Sequence, residues 1–321
     1  MSNRKYIGVD LGTWYNTTNK TSIAVGYEKD NKLYIEGIYK EYTKQNSDIC
    51  SIYTENELLK ILEKHQKQVL NDTNWNVYLS IDDKNSNLIR FLEREAENNA
   101  LIGIDAPFGI PSCLCHKNKS QTIYIPENKD INLPNELSNP YIFDNSSRFV
   151  YEYTNQIALA PAGDKIGKMT ARMIHLCQNF ETILNIKKVP SDLYKNTIMT
   201  FEVFPTATLY LYIKYLFKDN IEALEKYLTR SKSEDKYKEK KPEDYKKLIS
   251  YKNDNWKDNR DRMLELLKDD IIIDKSIIKT DDDYDAVICT LTTYLVDKYG
   301  YIKPTNENLF QDSFIYLPDI K

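Results

Sequence analysis

Two short segments of this chain, Ile7-Gly8-Val9-Asp10 and Ile102-Gly103-Ile104-Asp105, repeat one pattern: an apolar run with a glycine inside it and an aspartate at its end. Short apolar runs of this kind read as buried strands. Alternation along a strand puts Gly8 and Asp10 on one face, and Gly103 and Asp105 likewise. The pattern predicts an empty space beside each carboxylate. A carboxylate at the heart of an apolar strand is costly unless something compensates it, and burial alone pushes it towards its neutral form. A divalent cation is the strongest compensation available.

The rest of the chain supplies a scaffold for those strands. Lys5 to Leu11, Thr21 to Glu28 and Lys32 to Tyr42 read as three strands separated by turn-like Asn and Gly. Thr54 with Glu57 forms a capping box ahead of an apolar run at helical spacing, Leu58 to Val69. Val77 to Ile81 fits either state, and Leu88 to Ala100 reads as a helix running into the strand Leu101 to Asp105. Further on come a long polar loop from Lys117 to Ser146, a helix over Met169 to Phe180, a strand over Met199 to Phe204 and a helix over Ala207 to Phe217 just after Pro205. Strands first and then helix and strand in alternation predict a mixed central sheet flanked by helices. At 321 residues and 41% hydrophobic the chain can form one large domain, 1–321. The charged stretch from Lys226 to Arg262 reads as a helical insertion, 218–275, before the last core helix.

That last helix begins near Asp281 and is apolar almost all round through Val296, which predicts burial, with Gly300 as its C-terminal cap. Its opening, Asp281-Asp282-Asp283-Tyr284-Asp285, is a third acidic cluster. Positions 282 and 285 lie three apart and 281 and 285 four apart, so each pair shares a helix face. Thr280 and Asp283 also suit a helix cap, with the remaining acids complementing the helix dipole. Asp285 meets the apolar run directly and is expected to point inward. Hard oxygen ligands of this kind favour Mg²⁺ or Mn²⁺ over zinc, and two such ions can activate water while stabilising a leaving oxygen.

Taken in order, Ile7-Gly8-Val9-Asp10, Ile104-Asp105-Ala106-Pro107-Phe108-Gly109, Glu202-Val203-Phe204-Pro205 and Asp282-Asp283-Tyr284-Asp285-Ala286 resemble the predicted ribonuclease H-like nucleases called domain of unknown function 429. The closing Ile315-Tyr316-Leu317-Pro318 is similar to that family's end. The resemblance spans nearly the whole chain and implies a ribonuclease H-like α/β fold with a metal site. By resemblance Asp10 matches the first-strand aspartate of the wider fold, and Asp105 the acid ending a later strand. Asp282 and Asp285 look like paired helical aspartates, and Glu202 is a further acid. The implied activity is hydrolysis of nucleic-acid phosphodiester bonds, in DNA or RNA, by water activated on Mg²⁺ or Mn²⁺.

Two other function classes remain open. Gly8-Val9-Asp10-Leu11-Gly12-Thr13 resembles the first phosphate loop of actin-like and sugar-kinase phosphotransferases, but Ala-Pro-Phe-Gly follows Asp105 where a second, glycine-rich loop is expected. A non-catalytic adaptor would keep the fold and use the insertion to bind a partner.

Other residues carry weaker signals. Arg148 and Glu152, four apart in a helix, suit either a surface ion pair or phosphate contact by Arg148. Lys165 and Lys168 suit either solvated positions or a phosphate site at the next helix. Cys113, Cys115 and His116 lack a second ligand pair for zinc, while His65 and His175 read as ordinary helix histidines. Lysines between Lys236 and Lys247 could face a phosphate backbone, although acids dilute them. A net charge of -4 argues against a globally basic coat protein, and 25 tyrosines follow from an A/T-rich composition more simply than from base stacking. Five cysteines, the polar start from Met1 to Lys5 and the lack of any membrane-length apolar run lead to an expectation of a reduced cytoplasm and no membrane.

Overall fold

A computed structural model of the chain describes residues 4–12, 21–40, 85, 88–97, 99–111, 114, 122–158, 160–162, 166–217, 256–311 and 313–321. The expected helix after Thr54, the segment Val77 to Ile81, His65, Cys113, Cys115, His116, Lys165 and the lysines from 236 to 247 lie outside the described residues.

Strands β1 (Lys5–Asp10), β2 (Ser22–Lys29) and β3 (Lys32–Lys40) form the opening meander. Helix α1 (88–96) leads into β4 (Ala100–Asp105). The expected helix to Ala100 stops short because Glu97 takes a left-handed φ of 53° and Ala100 already pairs with Lys5. There follow α2 (Asn145–Thr154), α3 (Gly167–Leu184), β5 (Ile186–Lys187), β6 (Ile198–Glu202), α4 (Pro205–Phe217), α5 (Trp256–Leu266), β7 (Ile271–Ile272) and α6 (Asp281–Tyr299). Pro205 occupies the first position of α4, where a missing N–H costs nothing.

The seven strands make one mixed sheet in the order β5-β6-β4-β1-β2-β3-β7. Strand β2 runs antiparallel to β1 and β3, whereas β4, β6, β5 and β7 each pair in parallel. Alternating residues of β1 and β4 feed two separate cores. Tyr6 and Leu101 pack with α4 and α6 on one side, while Ile7, Val9, Ile102 and Ile104 pack with α1 and α3 on the other. At about 1.5–3 kcal/mol for each fully buried large apolar side chain, both layers contribute substantially to stability.

The segment expected as an insertion, 218–275, is described from Trp256 onward. Met263 and Leu264 of α5, with Leu267 and Ile271, belong to the α6-side core, and β7 extends the sheet at β3. The apolar positions from Met263 to Ile271 thus pack on the sheet. Among the described residues no helix is long and apolar enough to cross a membrane.

Candidate acidic centre

Strands β1 and β4 lie side by side in parallel, with Gly8 opposite Gly103 and Asp10 opposite Asp105. The two matching segments are thus neighbours in exact register, and both aspartates face the side covered by α6. The space beside the carboxylates, expected to be empty, is filled. A Cβ on Gly8 would stand 2.2 Å from the Ala286 carbonyl oxygen and 2.2 Å from the Thr290 nitrogen, and one on Gly103 would stand 2.4 Å from Thr293 Oγ1. The glycines serve to let α6 lie directly on the sheet. Every residue of α6 from Ala286 to Val296 is buried, as its all-round apolar pattern requires.

This close approach delivers the helical acids to the strand acids. Burial raises the Asp10 carboxyl well above its ordinary range, and repulsion from Asp285, Asp105, Asp282 and Asp281 adds to it in that order. Asp285 is raised likewise, first by burial and then by Asp105. Asp282 is half-buried and Asp281 exposed at the start of the helix.

Asp283 has a different task. Its Oδ2 accepts from the backbone N–H groups of Lys279 at 2.8 Å and Thr280 at 2.9 Å, while the Thr280 hydroxyl accepts from Asp283 N at 3.2 Å. Its Oδ1 receives the Ser22 hydroxyl at 2.6 Å and pairs with Lys40 Nζ at 3.0 Å. Burial alone would raise this carboxyl, but the Ser22 and Lys40 hydrogen bonds and the backbone donors hold it below its usual range. This is the capping arrangement that Thr280 and Asp283 suggest in the sequence.

Glu202 ends β6, beside Ile104 of β4, and is buried. Burial first, and then Asp144 and Asp105, push its carboxyl up, although Phe108 N–H donates to Oε2 at 3.0 Å. Glu202, Asp105 and Asp144 line one narrow pocket together with Ser147 and Ile315. Asp144 carries no apolar-strand pattern of the kind that marks Asp10 and Asp105. It caps α2, accepting from Ser147 N at 2.8 Å and Ser147 Oγ at 2.7 Å, and it also receives the Ser313 hydroxyl. An Asp-x-x-Ser signature before a helix was the available signal, hidden within a polar loop.

The two basic candidates differ in accessibility. Arg148 is fully buried in α2, donating to the Leu137 carbonyl at 2.8 Å and Asn145 Oδ1 at 3.2 Å. A phosphate contact requires an accessible guanidinium, so in this arrangement Arg148 holds the 135–138 turn against α2 instead. Its expected surface partner Glu152 is also buried, accepting from Asn128 N at 2.8 Å and from the Tyr124 hydroxyl. Lys168 is exposed in the first turn of α3. His175 of α3 is half-buried with Nδ1 3.1 Å from Asn85 Nδ2, a structural environment.

The donor chemistry of Asp10, Asp105, Asp282 and Asp285, all hard carboxylate oxygens in mutual repulsion, suits Mg²⁺ or Mn²⁺. Their present spacing is not a finished ligand shell: among the described residues no group of three or more His, Cys, Asp or Glu side chains could hold a metal ion as it stands. No family model, curated protein or solved structure matches this chain. The reading of the centre therefore rests on its own geometry.

Proposed function

We propose that this chain is a ribonuclease H-like, divalent-metal-dependent hydrolase that cleaves nucleic-acid phosphodiester bonds. Asp10, Asp105, Asp282 and Asp285 would hold Mg²⁺ or Mn²⁺. The observation that carries this reading is the placement of Asp10 directly beside Asp105, at the ends of two strands on which α6 lies in direct contact at Gly8 and Gly103. The sheet order supports the fold part of the proposal: a three-strand meander with one antiparallel member, extended in parallel on the β1 side, is what a ribonuclease H-like core requires.

A cation bound there would supply positive charge that offsets the carboxylate repulsion, polarises the phosphodiester and activates water. The strand and helix aspartates bind and orient. Glu202, whose carboxyl is pushed up by burial and by Asp144, lines the same pocket as Asp105 and is the residue this proposal assigns to proton transfer to the departing oxygen. Nucleic acid is the expected partner, and Lys168, exposed in the first turn of α3, is the residue this proposal assigns to phosphate contact.

The full chain incubated with Mn²⁺ or Mg²⁺ and single- and double-stranded DNA and RNA is expected to cleave at least one of them. Asp10→Asn and Asp285→Asn are expected to abolish cleavage while unfolding remains cooperative. Inactivity of the wild type on all these substrates, or cleavage retained in both variants, overturns the proposal. ATP turnover in a preparation lacking nuclease activity would point to the phosphotransferase that the Gly8 to Thr13 run resembles.

A further inference from the structure

Arg172 of α3 is fully buried on the opposite side of the sheet from α6. Its Nη1 donates to the Gly12 carbonyl at 2.8 Å and to Thr21 Oγ1 at 2.9 Å, and its Nε donates to Asn85 Oδ1 at 2.9 Å. Thr21 Oγ1 in turn accepts from Gly12 N–H at 3.2 Å. Gly12 and Thr21 are the described ends of the connection between β1 and β2, and they lie just beyond the last ladder pair, Asp10 with Ser22. The planar fork of a guanidinium can hold several acceptors on separate stretches of chain in fixed directions, which a lysine ammonium cannot.

The same ladder pair is gripped from the other face. Ser22 donates to Asp283 at 2.6 Å, tying the first residue of β2 to the turn of α6 that carries Asp282 and Asp285. The end of β1 is thus held between α3 and α6 just where Asp10 leaves the sheet.

We infer that Arg172 is a positioning residue of the acidic centre, clamping Gly12 and Thr21 so that the chain leaving Asp10 stays in register with Asp105. This inference rests on the reading of that centre as a cation site. Arg172 acts through the backbone that follows Asp10.

The test uses the full chain, with Mn²⁺ affinity measured by electron paramagnetic resonance and backbone amide exchange measured without metal. Arg172→Lys and Thr21→Val are each expected to weaken Mn²⁺ binding about tenfold or more, the scale on which supporting residues affect metal sites. Amides of Leu11, Gly12 and Ser22 should exchange faster in both variants, while those of α3 keep wild-type protection. Asn85→Ala, which leaves the clamp on Gly12 and Thr21 in place, should bind Mn²⁺ as the wild type does. Should Arg172→Lys fail to fold, Thr21→Val decides the matter, since it removes one acceptor at nearly constant volume. Wild-type Mn²⁺ affinity in Thr21→Val, or faster exchange spread evenly over α3 and the sheet, overturns the inference alone. A wild-type chain that does not bind Mn²⁺ overturns the cation reading together with it.

Discussion

Gly8 and Gly103 occupy matching places but tolerate a methyl group differently. The contacts facing Gly8 are backbone atoms of α6, Ala286 O and Thr290 N at 2.2 Å, which cannot yield without moving the helix. The closest contacts at Gly103 are side-chain atoms, Thr293 Oγ1 at 2.4 Å and Val203 Cγ1 at 2.9 Å, which can shift further than helix backbone. Gly8→Ala is therefore expected to destabilise the chain by about 3 kcal/mol or more and Gly103→Ala by about 1–2 kcal/mol, as read from urea unfolding. Equal costs would mean that α6 does not lie where the contacts put it. The raised carboxyls give a second prediction at this scale. With its folded value above the unfolded 3.8, Asp10 binds its proton more tightly in the folded chain, so the stability it contributes is full below that value and lost as pH rises through the folded one. Without metal, the stability advantage of Asp10→Asn over the wild type should be small in acid and grow as pH rises. A gap independent of pH would contradict the burial and repulsion ascribed to this carboxyl.

At the scale of elements, α6 carries the site and its first turn holds it in place. Thr280→Ala removes one cap acceptor and is expected to cost about 1 kcal/mol. Asp283→Ala leaves the Ser22 hydroxyl, two backbone N–H groups and the Lys40 ammonium without their carboxylate, and about 3–5 kcal/mol is expected from thermal or urea unfolding. Because Asp283 is held below its unfolded value, the stability it supplies is present above that value and lost as pH falls through the folded one, opposite in sign to Asp10. The same helix thus carries one acid that stabilises it, Asp283, and one whose burial opposes its charge, Asp285, two residues apart.

For the molecule as a whole, the acids lie where two helical layers meet the ends of parallel strands, and their repulsion is a standing cost of the fold without metal. A ligand that binds only the folded chain stabilises it by mass action, by about 2.7 kcal/mol at a hundred times its dissociation constant. Mn²⁺ is therefore expected to raise the unfolding temperature of the wild type in a concentration-dependent way and to leave that of an Asp10→Asn, Asp105→Asn double variant unchanged. Equal shifts in both proteins would place the cation elsewhere.

The amino-acid order by itself determined the meander, the buried last helix, its Thr280 and Asp283 cap and the shared face of glycine and aspartate in two strands, because each is a local matter of alternation, helical period or capping. Only the tertiary structure decided that Asp10 and Asp105 are direct neighbours, that helix backbone and not open space lies against Gly8, and that Arg148 is interior. The two-residue strands β5 and β7, the role of Asp144 and the clamp made by Arg172 were likewise beyond local reading. Each depends on partners distant in sequence, 160 positions from Arg172 to Gly12 and 169 from Asp144 to Ser313. No periodicity in one stretch of chain encodes which distant segment will pack against it.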